Sequence, residues 1–430
     1  MAKNAGANDR KRFRGAIATM VCSGLEFYDI AIFAFFAFAI GHKFFPSSDS
    51  EVEILSSLAV FGATFVARPF GSILIGAYAD RCGRRAALSF TAGAMALSTA
   101  AIAVMPGYAE IGMSAPIAIV VARLVQGFAF GGEIGPSTAL VYEIASERRR
   151  YLYASWQPAG QGIAMLAAGV IGMLLSIFLS HDELADWGWR IPFGIGSFLL
   201  WVSFLCRRGI PETIAAPSNR RIATLSEVCH FLTGHRRQLA GITLQIVFGT
   251  VAIYTCTFMS SYLLQTLSVP TEVTFIASAV VGISVGLGSI AGGLLADMHG
   301  PTKVMHLSRI ALLFLTYPVF AVAQSSLSGL FTLSCVIPFL AMISAGASFG
   351  AMMAALPEAA RSTGLSVIYA IVVCIFGGST QFIMALLIST TGDHLVPAYV
   401  LMFVTLLGLA GVPLLSRARA ERSVASLRLR

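Results

Sequence analysis

The chain has 430 residues, of which 57% are hydrophobic and 12% charged, and its formal net charge is +8. This composition excludes an ordinary soluble protein, because apolar runs long enough to cross a bilayer recur along the whole length. The positive charge is spread over short segments between these runs, so it does not indicate nucleic-acid binding.

Twelve apolar runs predict an all-α membrane protein with twelve transmembrane helices, called spans 1 to 12. A basic segment without a long apolar run separates the sixth from the seventh. We therefore predict an N-terminal six-helix bundle over residues 1–206, a cytoplasmic linker over 207–237 and a C-terminal six-helix bundle over 238–430. The spans cover residues 15–41, 54–78, 86–104, 113–141, 151–179, 190–208, 238–263, 273–296, 303–323, 329–355, 362–389 and 396–416.

The distribution of basic residues predicts the orientation. If both termini are cytoplasmic, the cytoplasmic segments hold 25 of the 29 Lys and Arg residues, with Lys303 and Arg309 counted among them at the start of span 9. Acidic residues dominate the outer loops. This positive-inside pattern predicts a multi-pass protein of the inner (cytoplasmic) membrane. The first apolar run is too long for a signal peptide, so we expect it to remain as span 1.

Spans 1 and 2 carry charges at membrane depth. Glu26 and Asp29 lie ~18 and ~22 Å along the helix from Arg14, on one face that must turn toward the protein. Arg68 in span 2 needs a carboxylate, backbone carbonyls or an anionic ligand. We place Arg68 opposite Asp29, and a permanent salt bridge or a hydrogen bond between helices are the alternatives to a functional role.

A charged loop joins spans 2 and 3. Its sequence, GAYADRCGRR at residues 76–85, is short enough to make the two helices antiparallel neighbours. A positive topology anchor is the simplest interpretation, but the spacing resembles the loop between helices 2 and 3 of the major facilitator superfamily, which helps to latch two halves of a transporter. A weaker copy at residues 293–303, GLLADMHGPTK, indicates a duplicated six-helix unit. The latch residues implied are Gly76, Asp80, Arg81, Gly83, Arg84, Arg85 and Asp297.

Polar residues line one predicted face of span 4 and one of span 5. Arg123, Gln126 and Glu133 fall on the same side of span 4, which is typical of a polar cavity. Gln157 and Gln161 share a face of span 5, where they could bind a carboxylate or only pair helices.

The second half offers mainly neutral groups. We find no Asp, Glu, Lys, Arg or His near the middle of spans 7, 8, 10, 11 or 12. Tyr254 and Thr257 recur at helical spacing in span 7 and could read hydroxyl or carboxylate positions of a ligand. Ser348 in span 10 and Gly378 and Ser379 in span 11 are further candidates.

The chain resembles the metabolite:proton symporter family of the major facilitator superfamily. Within that family it is most similar to citrate and tricarballylate carriers. A departure is the shortened segment 356–364 between spans 10 and 11. The segments that show the family resemblance are 25–29 (LEFYD), 68–71 (RPFG), 76–85, 131–133 (GGE) and 187–193 (WGWRIPF). The segments that resemble the citrate and tricarballylate carriers are 155–157 (SWQ), 181–183 (HDE), 187–193 and 375–378 (IFGG).

This resemblance implies two six-helix bundles around one cavity that opens alternately to each side. It implies proton-coupled import of a small organic anion such as citrate or another tricarboxylate, by a monomer in the bilayer that needs no nucleic acid, cofactor or metal. The seven Cys residues form no C-x-x-C pair, and no nucleophile–base pair or nucleotide loop indicates an enzyme. Symport of a dicarboxylate, a monocarboxylate or an osmolyte such as betaine is the alternative, followed by a non-transporting sensor.

The deep charges suggest how the coupling would work. The formal charge of the cavity is −1 when all its acids are ionised, from the two cations Arg68 and Arg123 and the three anions Glu26, Asp29 and Glu133. A negatively charged cavity repels an anion. Protonating two or three of these acids makes the cavity positive, so proton and anion favour each other's binding. We expect Asp29 to be the main proton carrier, ahead of Glu133 and Glu26, and Arg123 to be the substrate anchor. The substrate-binding candidates are Arg68, Arg123, Gln126, Tyr28, Gln157, Gln161, Tyr254, Thr257, Ser348, Gly378 and Ser379.

Overall fold

The computed structural model describes residues 21, 24–82, 84–131, 138, 141–142, 145–208, 236–356 and 361–428. Every regular element within these ranges is a helix. Gly83 and Glu133 lie outside the described residues. Of Gly76, Asp80, Arg81, Arg84 and Arg85 only the helical backbone is described. The proposed latch in the 76–85 loop and the proposed role of Glu133 therefore remain predictions.

All twelve predicted spans correspond to helices. Three spans consist of two consecutive helices each: Gly24–Phe35 and Ala37–Phe44 (span 1), Ser50–Val66 and Arg68–Cys82 (span 2), and Arg150–Ala154 and Trp156–Phe178 (span 5). The others are Arg84–Val104 (span 3), Ser114–Phe130 (span 4), Arg190–Arg208 (span 6), Arg236–Ser261 (span 7), Thr271–His299 (span 8), Pro301–Ala323 (span 9), Leu327–Ala355 (span 10), Arg361–Thr391 (span 11) and Val396–Arg428 (span 12).

Length and hydropathy support this assignment. In the described part, nine helices are long and apolar enough to cross a membrane, and the two helices of span 1, bent by 64°, make a tenth. Spans 3 and 4 contain the shorter apolar helices Ser89–Val104 and Ser114–Phe130. The predicted all-α membrane fold is thus confirmed.

Local sequence explains where several helices begin and end. The carboxylate of Asp49 accepts a hydrogen bond from the backbone N–H of Glu51 (2.9 Å) and caps span 2. Gly300 ends span 8 at φ 86°, a conformation that favours glycine, and Pro301 starts span 9 at once. With one residue between them, spans 8 and 9 must be antiparallel neighbours.

Glycines allow backbones to meet where the site forms. A Cβ atom on Gly127 of span 4 would lie 1.7 Å from the carbonyl oxygen of Thr64 in span 2. Only a residue without a side chain permits this approach. The contact holds the helices that carry Arg68 and Arg123 side by side.

The two halves touch along their length. Gly162 of span 5 faces Gly286 of span 8, where an added Cβ would lie 2.3 Å from a backbone nitrogen. The hydroxyl of Ser261 in span 7 donates to the carbonyl of Ala34 in span 1 (3.5 Å). The Phe36 and Phe275 rings pack with centroids 5.1 Å apart. Residues buried between spans 1, 2, 4 and 5 on one side and 7, 8, 10 and 11 on the other can therefore form one central site.

Candidate functional site

A buried ion pair joins span 1 to span 4. Arg123 donates from Nη1 to the Oδ2 atom of Asp29 at 2.7 Å, and each side chain is only 1% exposed. The guanidinium carbon also lies 3.7 Å from the centroid of the Phe33 ring. The expectation that Asp29 faces Arg68 is therefore wrong: its cation is Arg123. The rotation of neighbouring helices about their axes decides this pairing, and no periodicity within one helix reveals it.

Two neutral side chains complete this pair. Gln126 accepts from Arg123 (2.6 Å) and donates to Asp29 (3.0 Å) and to Thr99 (2.8 Å), and the Thr99 hydroxyl donates to Asp29 (2.9 Å). The Asp29 carboxylate thus receives three donors in a dry environment. Thr99 in span 3 was not among the sequence candidates, because a lone Thr in a span resembles one that bonds its own helix backbone.

Arg68 is a buried cation of a different kind. It is 2% exposed, and its guanidinium carbon lies between the rings of Phe65 (4.1 Å) and Phe130 (4.3 Å). None of its three side-chain nitrogens forms a hydrogen bond, and no ion pair reaches it, among the described residues. The predicted need for a partner is therefore unmet by the described protein groups, which is the situation expected of a site for an anionic ligand.

Span 7 supplies the opposite wall from the second half. The Tyr254 ring packs edge-on against Phe65 with centroids 5.0 Å apart, and its phenol lies in the field of Arg68. Phe27 and Phe61 of the first half also contact this ring, at 6.5 and 5.9 Å. Thr257, one turn further, accepts a hydrogen bond from Gln381 of span 11 (2.6 Å). Tyr254 thus lies at the contact between the halves, and the substrate-binding roles of Tyr254 and Thr257 remain predictions.

A small pocket lies beside these groups, between the two halves. Gln161 of span 5 lines it from the first half, and Gln245, Ser348 and Tyr369 line it from spans 7, 10 and 11. Thr250 adds a hydroxyl, and the rest of the wall is mainly apolar. Tyr369 is also close enough to Arg68 to interact with it electrostatically.

Arg309 corrects the sequence-based charge map. It is 0% exposed inside span 9, not cytoplasmic, and its guanidinium donates to Ser344 (2.7 Å), Gln245 (2.6 Å) and Ser348 (3.2 Å). Charged side chains at membrane depth are therefore not confined to the first half. The cavity charge of −1 derived from the sequence omitted the cation Arg309. The helix start at Pro301 puts Arg309 ~12 Å along span 9, a depth that could have been read from the Gly300–Pro301 break.

Other candidates lie away from this cluster or make protein contacts. Tyr28 donates to the carbonyl of Pro192 in span 6 (3.2 Å), and Ser379 donates to Ile375 of its own helix at a partly exposed position. Gly378 packs against the backbone of Gly62. Glu26 (3% exposed) and Gln157 (6% exposed) are buried in spans 1 and 5. Their functional roles remain predictions.

The second copy of the latch motif bridges the halves. The carboxylate of Asp297 at the end of span 8 accepts hydrogen bonds from the backbone N–H groups of Tyr151 and Leu152, both at 3.0 Å. Both N–H groups lie in the first turn of the helix Arg150–Ala154, where a carboxylate can cap them. Gly293 makes room, since an added Cβ would lie 2.4 Å from the Ser155 hydroxyl. The motif thus holds span 8 against the start of span 5.

We expect Asp297→Asn to lower the transport rate several-fold, because Asn cannot offer both N–H groups a charged acceptor. The loss of such a cap costs on the order of 1 kcal/mol. Initial uptake rates in proteoliposomes measure the effect. Asp393→Asn is the matched control, since Asp393 accepts from the N–H of Leu395 (2.8 Å) in the loop between spans 11 and 12. Equal rates for both variants would contradict a latch role for Asp297.

No cluster of three or more His, Cys, Asp or Glu residues suited to a metal ion occurs within the described ranges. What the site contains is a carboxylate that can take a proton, a guanidinium paired with it, and an unpaired guanidinium beside a pocket. Such a set can hold an anion and exchange a proton.

Comparison with known proteins identifies the family. Residues 19–380 match the Major Facilitator Superfamily. The citrate-proton symporter of Salmonella typhi is 34% identical over 96% of each chain, and that of Klebsiella pneumoniae is 32% identical over 92% of this chain and 90% of the relative. The proline/betaine transporter of Salmonella typhimurium strain LT2 is 29% identical over 94% and 83%.

Solved structures agree at the level of the fold. The D-xylose-proton symporter aligns with a TM-score of 0.72 at 16% identity, covering 93% of this chain and 96% of that one. The partially occluded, inward-open xylose transporter XylE from E. coli aligns with a TM-score of 0.70 at 14% identity, covering 94% and 99%. The family match and the citrate-proton symporter relatives confirm the predicted resemblance: the chain belongs to the major facilitator superfamily.

Proposed function

We propose that this protein is a proton-coupled symporter that imports a small polycarboxylate, with citrate as the first candidate, by alternating access. The observation that carries the proposal is the buried Arg68 guanidinium, which lacks a hydrogen-bonding or acidic partner in the described part of the chain. The similarity to citrate-proton symporters supports the choice of substrate.

Arg68 would be the permanent anion anchor. A buried cation without a partner is costly, and a carboxylate that bonds the planar guanidinium bidentately removes much of that cost. Tyr254 lies on the other half and can donate from its phenol to the same anion. A substrate bound between them would contact both halves, which is what movement of one half against the other requires.

Asp29 would carry the proton. While it is ionised, it neutralises Arg123 through the 2.7 Å contact. Protonation removes that negative charge, so Arg123 gains a free positive charge and the site becomes more attractive to an anion. By linkage, the bound anion holds the proton equally more tightly. Arg123 thus becomes a second anchor only in the protonated state, which refines its predicted role.

Betaine transport is the second candidate, because four aromatic rings surround the contact between halves. Quaternary ammonium groups bind aromatic cages, and Phe27, Phe61, Phe65 and Tyr254 pack together here. However, the Arg68 cation already lies over the Phe65 ring. A second cation would be repelled at this position, so the geometry favours an anion.

Uptake by proteoliposomes tests the proposal. Purified protein would be offered radiolabelled citrate, tricarballylate, shikimate and betaine in parallel, with an inward proton gradient. We expect accumulation of citrate or tricarballylate that stops when a protonophore collapses the gradient, and none in protein-free liposomes. Accumulation of betaine or shikimate alone would refute polycarboxylate symport.

A further inference from the structure

Arg309 is a second buried cation without an acidic partner in the described part of the chain. It is fully buried, and its contacts are the neutral Gln245, Ser344 and Ser348 and the face of the Phe248 ring, 4.1 Å from the guanidinium carbon. These contacts occupy Nε and Nη2, whereas Nη1 has no hydrogen-bond partner among the described residues, and none of the contacts cancels the charge. The field of this cation therefore extends into its surroundings, which are apolar and screen it weakly.

The pocket between the halves lies directly in this field. Gln245 and Ser348, which bond Arg309 from spans 7 and 10, also line the pocket. Arg309 is thus separated from the pocket by the side chains of Gln245 and Ser348. Tyr369 lines the pocket too and lies in the field of Arg68. The pocket consequently has an unneutralised guanidinium near it in each half of the protein.

We propose that Arg309 determines substrate valence: it makes the pocket a second carboxylate subsite, so that anions with two or more carboxylates bind much better than monocarboxylates. This inference rests on the proposed function and deepens it. Arg68 attracts the first carboxylate. A monoanion placed there gains little from Arg309, whereas a second carboxylate in the pocket gains a favourable Coulombic interaction with the positive charge of Arg309 behind the pocket wall.

A purely structural role is the competing explanation, since Arg309 also ties spans 7, 9 and 10 together. Substitutions at Gln245 separate the two. Gln245→Glu is nearly isosteric and puts a carboxylate within hydrogen-bond distance of Arg309. The contact between spans 7 and 9 is then strengthened, and the positive charge of Arg309 is neutralised. Gln245→Met fills similar space and loses the hydrogen bond, but it leaves the charge of Arg309 intact.

The experiment measures binding of citrate, a dicarboxylate and a monocarboxylate to the purified full-length chain. We expect Gln245→Glu to weaken citrate binding by about tenfold or more and monocarboxylate binding by less than about threefold, the size of effect of one charge at several ångströms. Gln245→Met should lower all three affinities similarly and so preserve their ratio. Thermal melting of both variants checks that they are folded.

Two other results would overturn the inference. An unchanged ratio of citrate to monocarboxylate affinity in Gln245→Glu would leave Arg309 as a structural tie while the proposed function stands. Binding of none of the three anions by the wild-type chain would refute the proposed function and this inference with it. If Gln245→Glu does not fold, Ser348→Asp places a carboxylate near the same guanidinium nitrogen, with Ser348→Ala as its neutral control.

Discussion

Replacing Arg68 with Gln is expected to lower citrate affinity by at least about 30-fold, because loss of one partner of a buried charge pair costs about 2–5 kcal/mol. Arg68→Lys should recover only part of this loss, since an ammonium group keeps the charge but cannot bond a carboxylate with two parallel N–H groups. The Gln and Lys side chains at position 68 both keep methylene groups between the Phe65 and Phe130 rings. Equilibrium binding of citrate to detergent-purified protein gives the affinities directly.

The matched control is Arg148→Gln, which makes the same change at an exposed position just before span 5. Its affinity should equal that of the wild type. Normal citrate affinity in Arg68→Gln would show that the unpaired guanidinium is not the anchor. The central role would then pass to Arg123, which would have to leave Asp29 in order to bind.

Asp29→Asn should abolish proton-driven accumulation of citrate while binding and exchange of citrate persist. Asn resembles the protonated acid and can still bond Thr99 and Gln126, so the network keeps its shape. Arg123 then stays unneutralised at every pH, and the protein cannot link release of the anion to release of a proton. Accumulation under a proton gradient and citrate–citrate exchange without one would be measured on the same proteoliposomes.

Asp182→Asn, at an exposed outer position, is the control that should accumulate citrate normally. Accumulation by Asp29→Asn at the wild-type level would contradict its role as proton carrier. Glu26 and Glu133 would then be the next acids to test. Glu26 is buried in the same span, so it would be changed first.

The sequence predicted the architecture because its strongest signals are physical requirements of a membrane. Helices must be apolar for about twenty residues, and basic residues stay on the cytoplasmic side. The duplicated Gly–Asp motif indicated two six-helix halves. Its second copy places the Asp297 carboxylate at the first turn of Arg150–Ala154.

The site was predicted as a set of residues but not as a set of contacts. Asp29, Arg123 and Gln126 were all recognised from acids, bases and amides at membrane depth. Their pairing was not, because it depends on how three helices rotate against each other. Thr99 carries no charge that would mark it, and its role is visible only once Gln126 and Asp29 are seen on either side of it.

Arg309 shows a second limit of sequence reasoning. A basic residue near the first turns of a span is usually assigned to the membrane surface, where a long side chain can reach water. Here the neighbouring spans supply Gln245, Ser344 and Ser348 at the same depth, so the guanidinium is held inside the protein instead. Spans 7, 9 and 10 must pack together before this environment exists.

The central claim is that an anion and a proton enter together. Its most direct test is to add citrate to wild-type proteoliposomes under a clamped membrane potential and record external pH while citrate uptake is measured. We predict alkalinisation outside in a fixed ratio to the citrate taken up, and none when Asp29→Asn replaces the wild type. Citrate uptake by the wild type without any movement of protons would contradict the account.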